Sequence, residues 1–283
     1  VFQPCGYCFC ASSFETESNK GGHQDQYFGA TATRLGLWQA GFSWDQTWHL
    51  LSTDSQLLAT QPSRGVFVLP TPRPSLFNYN AAPTLDEISV RWDAAKIFFI
   101  VTPTPDIEIR SEYTRTYKSG ERPYGMAFGS PGNNFYEVLQ PVAQTIHDFR
   151  LGGTWVPEKF QLQFGYVRST FQNAVDRVQA DNPCFNNPAA VTAGGCAGDA
   201  TNAPATGQSA LAPNNMANTF TLSGGIDLPM RTRLTGNVAY SVAMQNEDFL
   251  PHTINQTLNG NPGLALPKSS LNGLVQTWLV NLT

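Results

Sequence analysis

The chain has 283 residues, 17 of them Lys or Arg and 21 Asp or Glu, so its formal net charge is −4 and only 13% of it is charged, where soluble domains carry about a quarter. Aromatics at 12% within an apolar share of 41% exclude a disordered chain, and no stretch reaches the ~18 uninterrupted apolar residues that a membrane helix needs. The slight acidic excess also argues against a nucleic-acid binder.

The sequence starts at Val1 without Met and without the basic start, apolar run and small-residue cleavage site of a signal peptide, so the true N-terminus is expected upstream. Residues 1–24 are expected to be an N-terminal segment around Cys5-Gly6-Tyr7-Cys8, with Cys10 close behind. The Cys5/Cys8 spacing suits a redox pair, a metal pair or a structural disulfide. Phe9 stands where covalent haem attachment requires His, and Cys10 with His23 makes a poor zinc complement.

From residue 25 onward period-two alternation dominates, which puts successive side chains on opposite faces of a strand. A weaker strand at about 25 to 34 is followed by Trp38, Ala40, Phe42 and Trp44 alternating with Gln39, Gly41, Ser43 and Asp45. A weaker strand at 87 to 102 precedes Ile107, Ile109, Tyr113 and Tyr117, which oppose Glu108, Arg110, Glu112, Thr114, Thr116 and Lys118. Another, at 145 to 155, carries Asp148 and Arg150. Phe160, Leu162, Phe164 and Tyr166 then oppose Gln161, Gln163, Gly165 and Ser169. Phe220, Leu222, Ile226 and Leu228 oppose Thr219, Thr221, Ser223 and Asp227, and Leu234, Val238, Tyr240, Val242 and Met244 oppose Arg233, Thr235, Asn237, Ser241 and Gln245. The segment from about 270 to Thr283 completes nine strands, and the 24 Gly and 20 Pro, the poorest helix formers, belong in turns.

The connections alternate too. Short ones with Pro or Gly fall at 34 to 37, 103 to 106, 156 to 159 and 228 to 231, and long ones at about 48 to 86, 118 to 144, 172 to 217 and 246 to 269. Strands of about ten residues, apolar on one face and polar on the other, with short turns at one rim and long loops at the other, describe an outer-membrane barrel with periplasmic turns and extracellular loops. The expected fold class of residues 25–283 is therefore all-β, an antiparallel transmembrane β-barrel. A sheet in lipid must close on itself, and about nine antiparallel strands cannot, so the chain is expected to be a fragment of a larger barrel.

The polar face is expected to line the lumen, with Glu108, Arg110, Glu112, Thr114, Asp148, Arg150, Gln161 and Gln163 as candidates. Its charges form either solvated ion pairs, each contributing about 0–1 kcal/mol, or contacts to a partner. Trp38, Trp44, Tyr113, Tyr117, Trp155, Tyr166, Tyr240 and Trp278 suit interfacial aromatic girdles, the alternative being the core of a soluble β-sandwich. Arg115 and Arg168 fall on the lipid side. At about 3.3 Å per residue and a tilt of about 40°, Arg115 stands about 23 Å above its turn, near the top of a band about 25 Å tall. Arg168 must snorkel.

Cys184 and Cys196, in a Gly/Ala/Asn-rich stretch, would close a loop of 13 residues; a disulfide there removes about 3 kcal/mol of unfolded-state freedom in the chain-entropy account. His23, His49, His147 and His252 are scattered with no nucleophile motif beside them. GMAFGSPG, with Gly125, Gly129 and Gly132, lacks the Lys and the strand-to-helix setting of a phosphate loop. Neither an enzyme nor a cofactor bound by the chain itself is expected.

Several phrases together, FSWDQTWHLLSTD, GVFVLPTPRP, EYTRTYKSGERPYGMAFGSPGNNFYEVLQP, TIHDFRLGGTW, DNPCF, GIDLPMRTRLTG and FLPHTIN, resemble the MtrB/PioB-type decaheme-associated outer-membrane barrels. The resemblance runs from about Gly36 to the end and is most specific after Lys118. A CxxC near the mature N-terminus also occurs in some members, although Cys10 departs from a simple pair. The resemblance implies a sheath around a periplasmic multihaem cytochrome c in the outer membrane, with an extracellular multihaem cytochrome as a second candidate partner and all haem carried by the partners. A diffusion porin or solute channel would show the same alternation, and a secreted β-rich binding module is the third reading. With an unpaired edge on each terminal strand, the isolated 283-residue chain is expected to aggregate in aqueous buffer; light scattering that found a monodisperse folded species would contradict this.

Overall fold

The computed structural model describes residues 12–73, 82–85, 87–128, 135–188, 204–251, 253–254 and 272–283. Cys5, Cys8, Cys10, Gly129, Gly132, Cys196 and His252 lie outside the described residues. In chain order the strands are β1 (Ser12–Asn19), β2 (Gln26–Arg34), β3 (Trp38–Ser52), β4 (Thr60–Ser63), β5 (Val66–Val68), β6 (Ile88–Thr104) and β7 (Ile107–Ala127). They continue as β8 (Phe135–Trp155), β9 (Phe160–Asn173), β10 (Arg177–Asp181), β11 (Thr206–Ala210), β12 (Asn215–Leu228), β13 (Thr232–Gln245) and β14 (Gly273–Leu282).

Ten of these form one sheet in the order β1-β2-β3-β6-β7-β8-β9-β12-β13-β14, every neighbouring pair antiparallel. Each of the nine alternating segments is a strand of it; the tenth, β1, comes from the stretch assigned to the N-terminal segment. Its outer edges, β1 and β14, do not pair with each other. The sheet is thus an open part of a larger barrel, because lipid offers nothing to a bare edge.

Cross-strand register turns the alternation of each strand into two continuous surfaces. Ile109 pairs with Gly153, Gly153 with Phe164, Phe164 with Leu222, Leu222 with Val238 and Val238 with Val280. One residue along, Glu108 pairs with Thr154, then Gln163, Ser223, Asn237 and Asn281. The first row is apolar and its large side chains are exposed, the second polar, so lipid and lumen are separated by a single residue step. On the apolar side Trp155 packs edge-on against Phe160 near the short turns, while Tyr240 and Trp278 lie 4.1 Å apart nearer the other rim. Further from the short turns this face becomes polar: Gln26 Nε2 donates to Gln46 Oε1 at 2.7 Å, and Gln46 Nε2 to Asp93 Oδ1 at 3.0 Å.

Short turns join β2 to β3, β6 to β7, β8 to β9 and β12 to β13. The first is closed by Leu37 N donating to Arg34 O, with Gly36 at φ 74° where a side chain would be strained. At the opposite rim the expected loop over 118 to 144 is instead mostly strand, since Lys118–Gln144 and Ala127–Phe135 pair as one hairpin. The reason is burial on both faces: the six consecutive residues Val138, Leu139, Gln140, Pro141, Val142 and Ala143 are all buried, which erases period two. β7 and β8 are each 21 residues long, about 70 Å at 3.3 Å per residue, roughly twice what a tilted crossing of a band about 25 Å tall requires. The hairpin therefore rises well beyond the membrane.

Two other long connections are also structured. β4 and β5, from the β3–β6 connection, join β10 and β11, from the β9–β12 connection, in a four-stranded sheet. β5 and β10 run parallel, with Gln179 beside Val66 and Ala180 beside Phe67. This small sheet packs on the raised hairpin, and the buried core forms there from Phe67, Leu69, Met126, Val138, Val178 and Ala180. Asp181 Oδ2 accepts from Arg73 Nη1 at 2.8 Å and from Leu69 N at 3.1 Å. Cys184, buried and disulfide-bonded, lies just beyond β10. Phe67→Ala should cost this cap about 3–5 kcal/mol. Limited proteolysis is expected to cut the β3–β6 and β9–β12 connections in that variant while the barrel keeps its heat-modifiable mobility on gels.

Candidate lumenal interface

The inward face is built by even-numbered positions of β7 and β8 and odd-numbered positions of β9 and β12, and at its centre is Glu112. Its side chain is only 9% exposed, and three cations converge on it: Lys96 Nζ at 3.0 Å, Arg110 Nη2 at 3.0 Å and Arg150 Nη1 at 3.6 Å. Register explains the convergence. Glu112 lies opposite Arg150 on β8 and Phe98 on β6, and Arg110 is two residues away on the same face. Arg110 also covers the Phe98 ring at 5.7 Å. One carboxylate cannot use all the donors of three cations, so the exposed parts of Arg110 and Arg150, 49% and 61%, still face the lumen.

The other candidates surround this cluster. Thr114 lies between Lys96 and Asp148 in register. Glu108 and Gln163 border a depression of about 290 Å³ floored by Gly152 and Gly153. Gln163 Oε1 accepts from Ser223 Oγ at 3.5 Å, and Gln161 Oε1 from Arg233 Nη2 at 3.1 Å, while Arg233 also pairs with Asp227 at 3.3 Å. The Arg233 guanidinium lies across Gly225, within 3.1 Å of where a Cβ would stand, so a larger residue there would displace it. Gln161, Arg233 and Gly225 border a second depression of about 290 Å³.

The structure adds lumenal residues that the sequence did not single out. Lys96 was hidden because Phe98 and Ile100 share its face, leaving β6 apolar on both sides. Nearer the raised hairpin, His49 meets Trp92 edge-on at 5.5 Å, and Lys118 Nζ sits 3.9 Å over the same indole. In the sequence Lys118 is one member of a polar set, and only the β6–β7 register joins it to Trp92. Among the described residues no group of three or more His, Cys, Asp or Glu is placed to hold a metal ion.

Residues 13–283 match the family model described as "Putative outer membrane beta-barrel porin, MtrB/PioB". The chain belongs to the MtrB/PioB family. This MtrB/PioB member is an outer-membrane protein. No curated protein matches the sequence. Among solved structures it is similar to the ferric-catecholate import receptor Fiu from Escherichia coli K12. The closed form is 12% identical with a TM-score of 0.40, over 96% of this chain and 42% of that one. The open form is 12% identical with a TM-score of 0.38, over 96% and 46%. The MtrB/PioB chain thus spans less than half the length of either receptor chain.

Glu112→Ala leaves three like charges without their shared counter-charge and should destabilise the barrel by about 2 kcal/mol, the scale of lost charged hydrogen bonds. Arg150→Ala, which removes an exposed and longer contact, should cost under about 1 kcal/mol. Urea unfolding of the full-length barrel in detergent, followed by tryptophan fluorescence, measures both.

Proposed function

We propose that this MtrB/PioB barrel is a non-enzymatic sheath that encloses a periplasmic multihaem cytochrome c and carries it across the outer membrane for electron transfer. The observation that carries this reading is the lumenal wall. Ten strands with two unpaired edges belong to a barrel of more than ten, and beside the charged cluster a stretch of their inward face on β8, β9, β12 and β13 is lined by uncharged polar side chains and glycines, Thr154, Gln163, Ser223 and Asn237 beside Gly152, Gly165 and Gly225. Such a wall has few projections to obstruct a folded guest, and barrels of about 16–18 strands already leave a water-filled lumen.

In this reading the chain binds no cofactor. Its part is to keep lipid from the guest, by the apolar outer rows, and to hold the guest's polar surface, through donors left over around Glu112 and the Gln161–Arg233 network. An extracellular multihaem cytochrome would meet the assembly at the rim of the long connections.

The alternative is a diffusion porin or solute channel, favoured by the same polar inward face. Pull-down of the tagged full-length protein from outer membranes, with haem staining and a visible spectrum, separates the two. A stoichiometric c-type spectrum is expected; a haem-free barrel that conducts ions in planar bilayers would replace the sheath with the porin.

A further inference from the structure

Below the polar Gln26–Gln46–Asp93 row, the outward face carries a basic patch on β7, β8 and β9. Arg115 lies directly opposite His147, and Arg168, two residues from His147's other partner Thr170, lies opposite Phe149. Both arginines are exposed, and among the described residues neither is in a salt bridge. Arg115 instead covers the Tyr117 ring at 5.6 Å. Tyr113 stacks on His147, its hydroxyl 2.7 Å from Nδ1; donating there, it leaves the imidazole proton on Nε2. The nearest outward carboxylate, Asp93, is two residues from Arg115's partner Ala95 and is already held by Arg91 and Gln46. The patch thus has two cations and no anion of its own.

Its height is as informative as its charge. Arg115 and Arg168 stand about 20–23 Å along the barrel axis from the short turns, close to the top of a hydrocarbon band about 25 Å tall. Unpaired arginines facing hydrocarbon are costly, and they are tolerated where their heads reach lipid phosphates. Short turns of outer-membrane barrels are periplasmic, so this is the height of the outer-leaflet headgroups. Guanidinium groups match phosphate by parallel hydrogen bonds, and basic clusters at headgroup level select anionic lipid.

We propose that Arg115, Arg168 and His147 form a binding site for the phosphate of an anionic outer-leaflet glycolipid, with Tyr113 orienting the imidazole. The two arginines supply charge and paired donors, and His147 supplies Nε2–H between them.

Native mass spectrometry of the full-length barrel in mild detergent tests this, with diphosphorylated lipid A and its dephosphorylated form as probes. Unaltered protein is expected to retain the phosphorylated form about tenfold or more better, and excess inorganic phosphate is expected not to displace it. R115Q/R168Q should lose that preference, while R115K/R168K, which keeps the charge but not the paired donors, keeps only part of it. The glutamine pair should fold at least as well as the parent, since it removes charge from the lipid face, and heat-modifiability on gels checks that. Equal retention of the two lipids by the unaltered protein would overturn the site, as would displacement by free phosphate or an unchanged preference in the glutamine variant.

Discussion

Hydrocarbon offers no hydrogen bonds, and the rest of this structure follows from that. Every backbone N–H and C=O within the membrane must find its partner on an adjacent strand, so the chain can only cross as a continuous ladder, strand after strand in sequence order. The meander β1-β2-β3-β6-β7-β8-β9-β12-β13-β14 is the simplest ladder of that kind. Each chain neighbour is also a spatial neighbour, and whatever is not a crossing is pushed to a rim.

The molecule therefore solves two opposite burial problems. Within the membrane large apolar side chains such as Phe164, Leu222 and Val238 point outward and need no interior. Above it, where water returns, Phe67, Val178 and Val138 must be hidden, and they are, beneath a small sheet assembled from two separate connections. Apolar residues are thus exposed in one half and enclosed in the other, each according to its solvent.

This division also explains what the sequence disclosed. Most of the nine crossing strands were legible because lipid on one side and water on the other imprint an alternation, which β6, apolar on both sides around Ile97–Val101, shows least. β1 was not, because in Ser12–Asn19 Phe14 is the sole large apolar residue. β4, β5, β10 and β11 escaped notice because they are only three to five residues long and lie among buried neighbours. At the lumen, the opposed charges of Glu112 and Arg150 were visible as alternating positions, whereas the meeting of Gln161 with Arg233, 72 residues apart, depends on the register of β9, β12 and β13. Alternation tells which face a side chain takes; only register tells whom it meets.

The parallel contact of β5 with β10 bears on the order of assembly. Val66 and Gln179 are joined only after β6, β7, β8 and β9 have been laid down between them. Closing so long a span pays its loop entropy before any reward arrives, so the raised cap is the last local part to lock. A hairpin missing or out of register among those four crossings would therefore leave the two halves of the cap apart, with their apolar residues exposed to water.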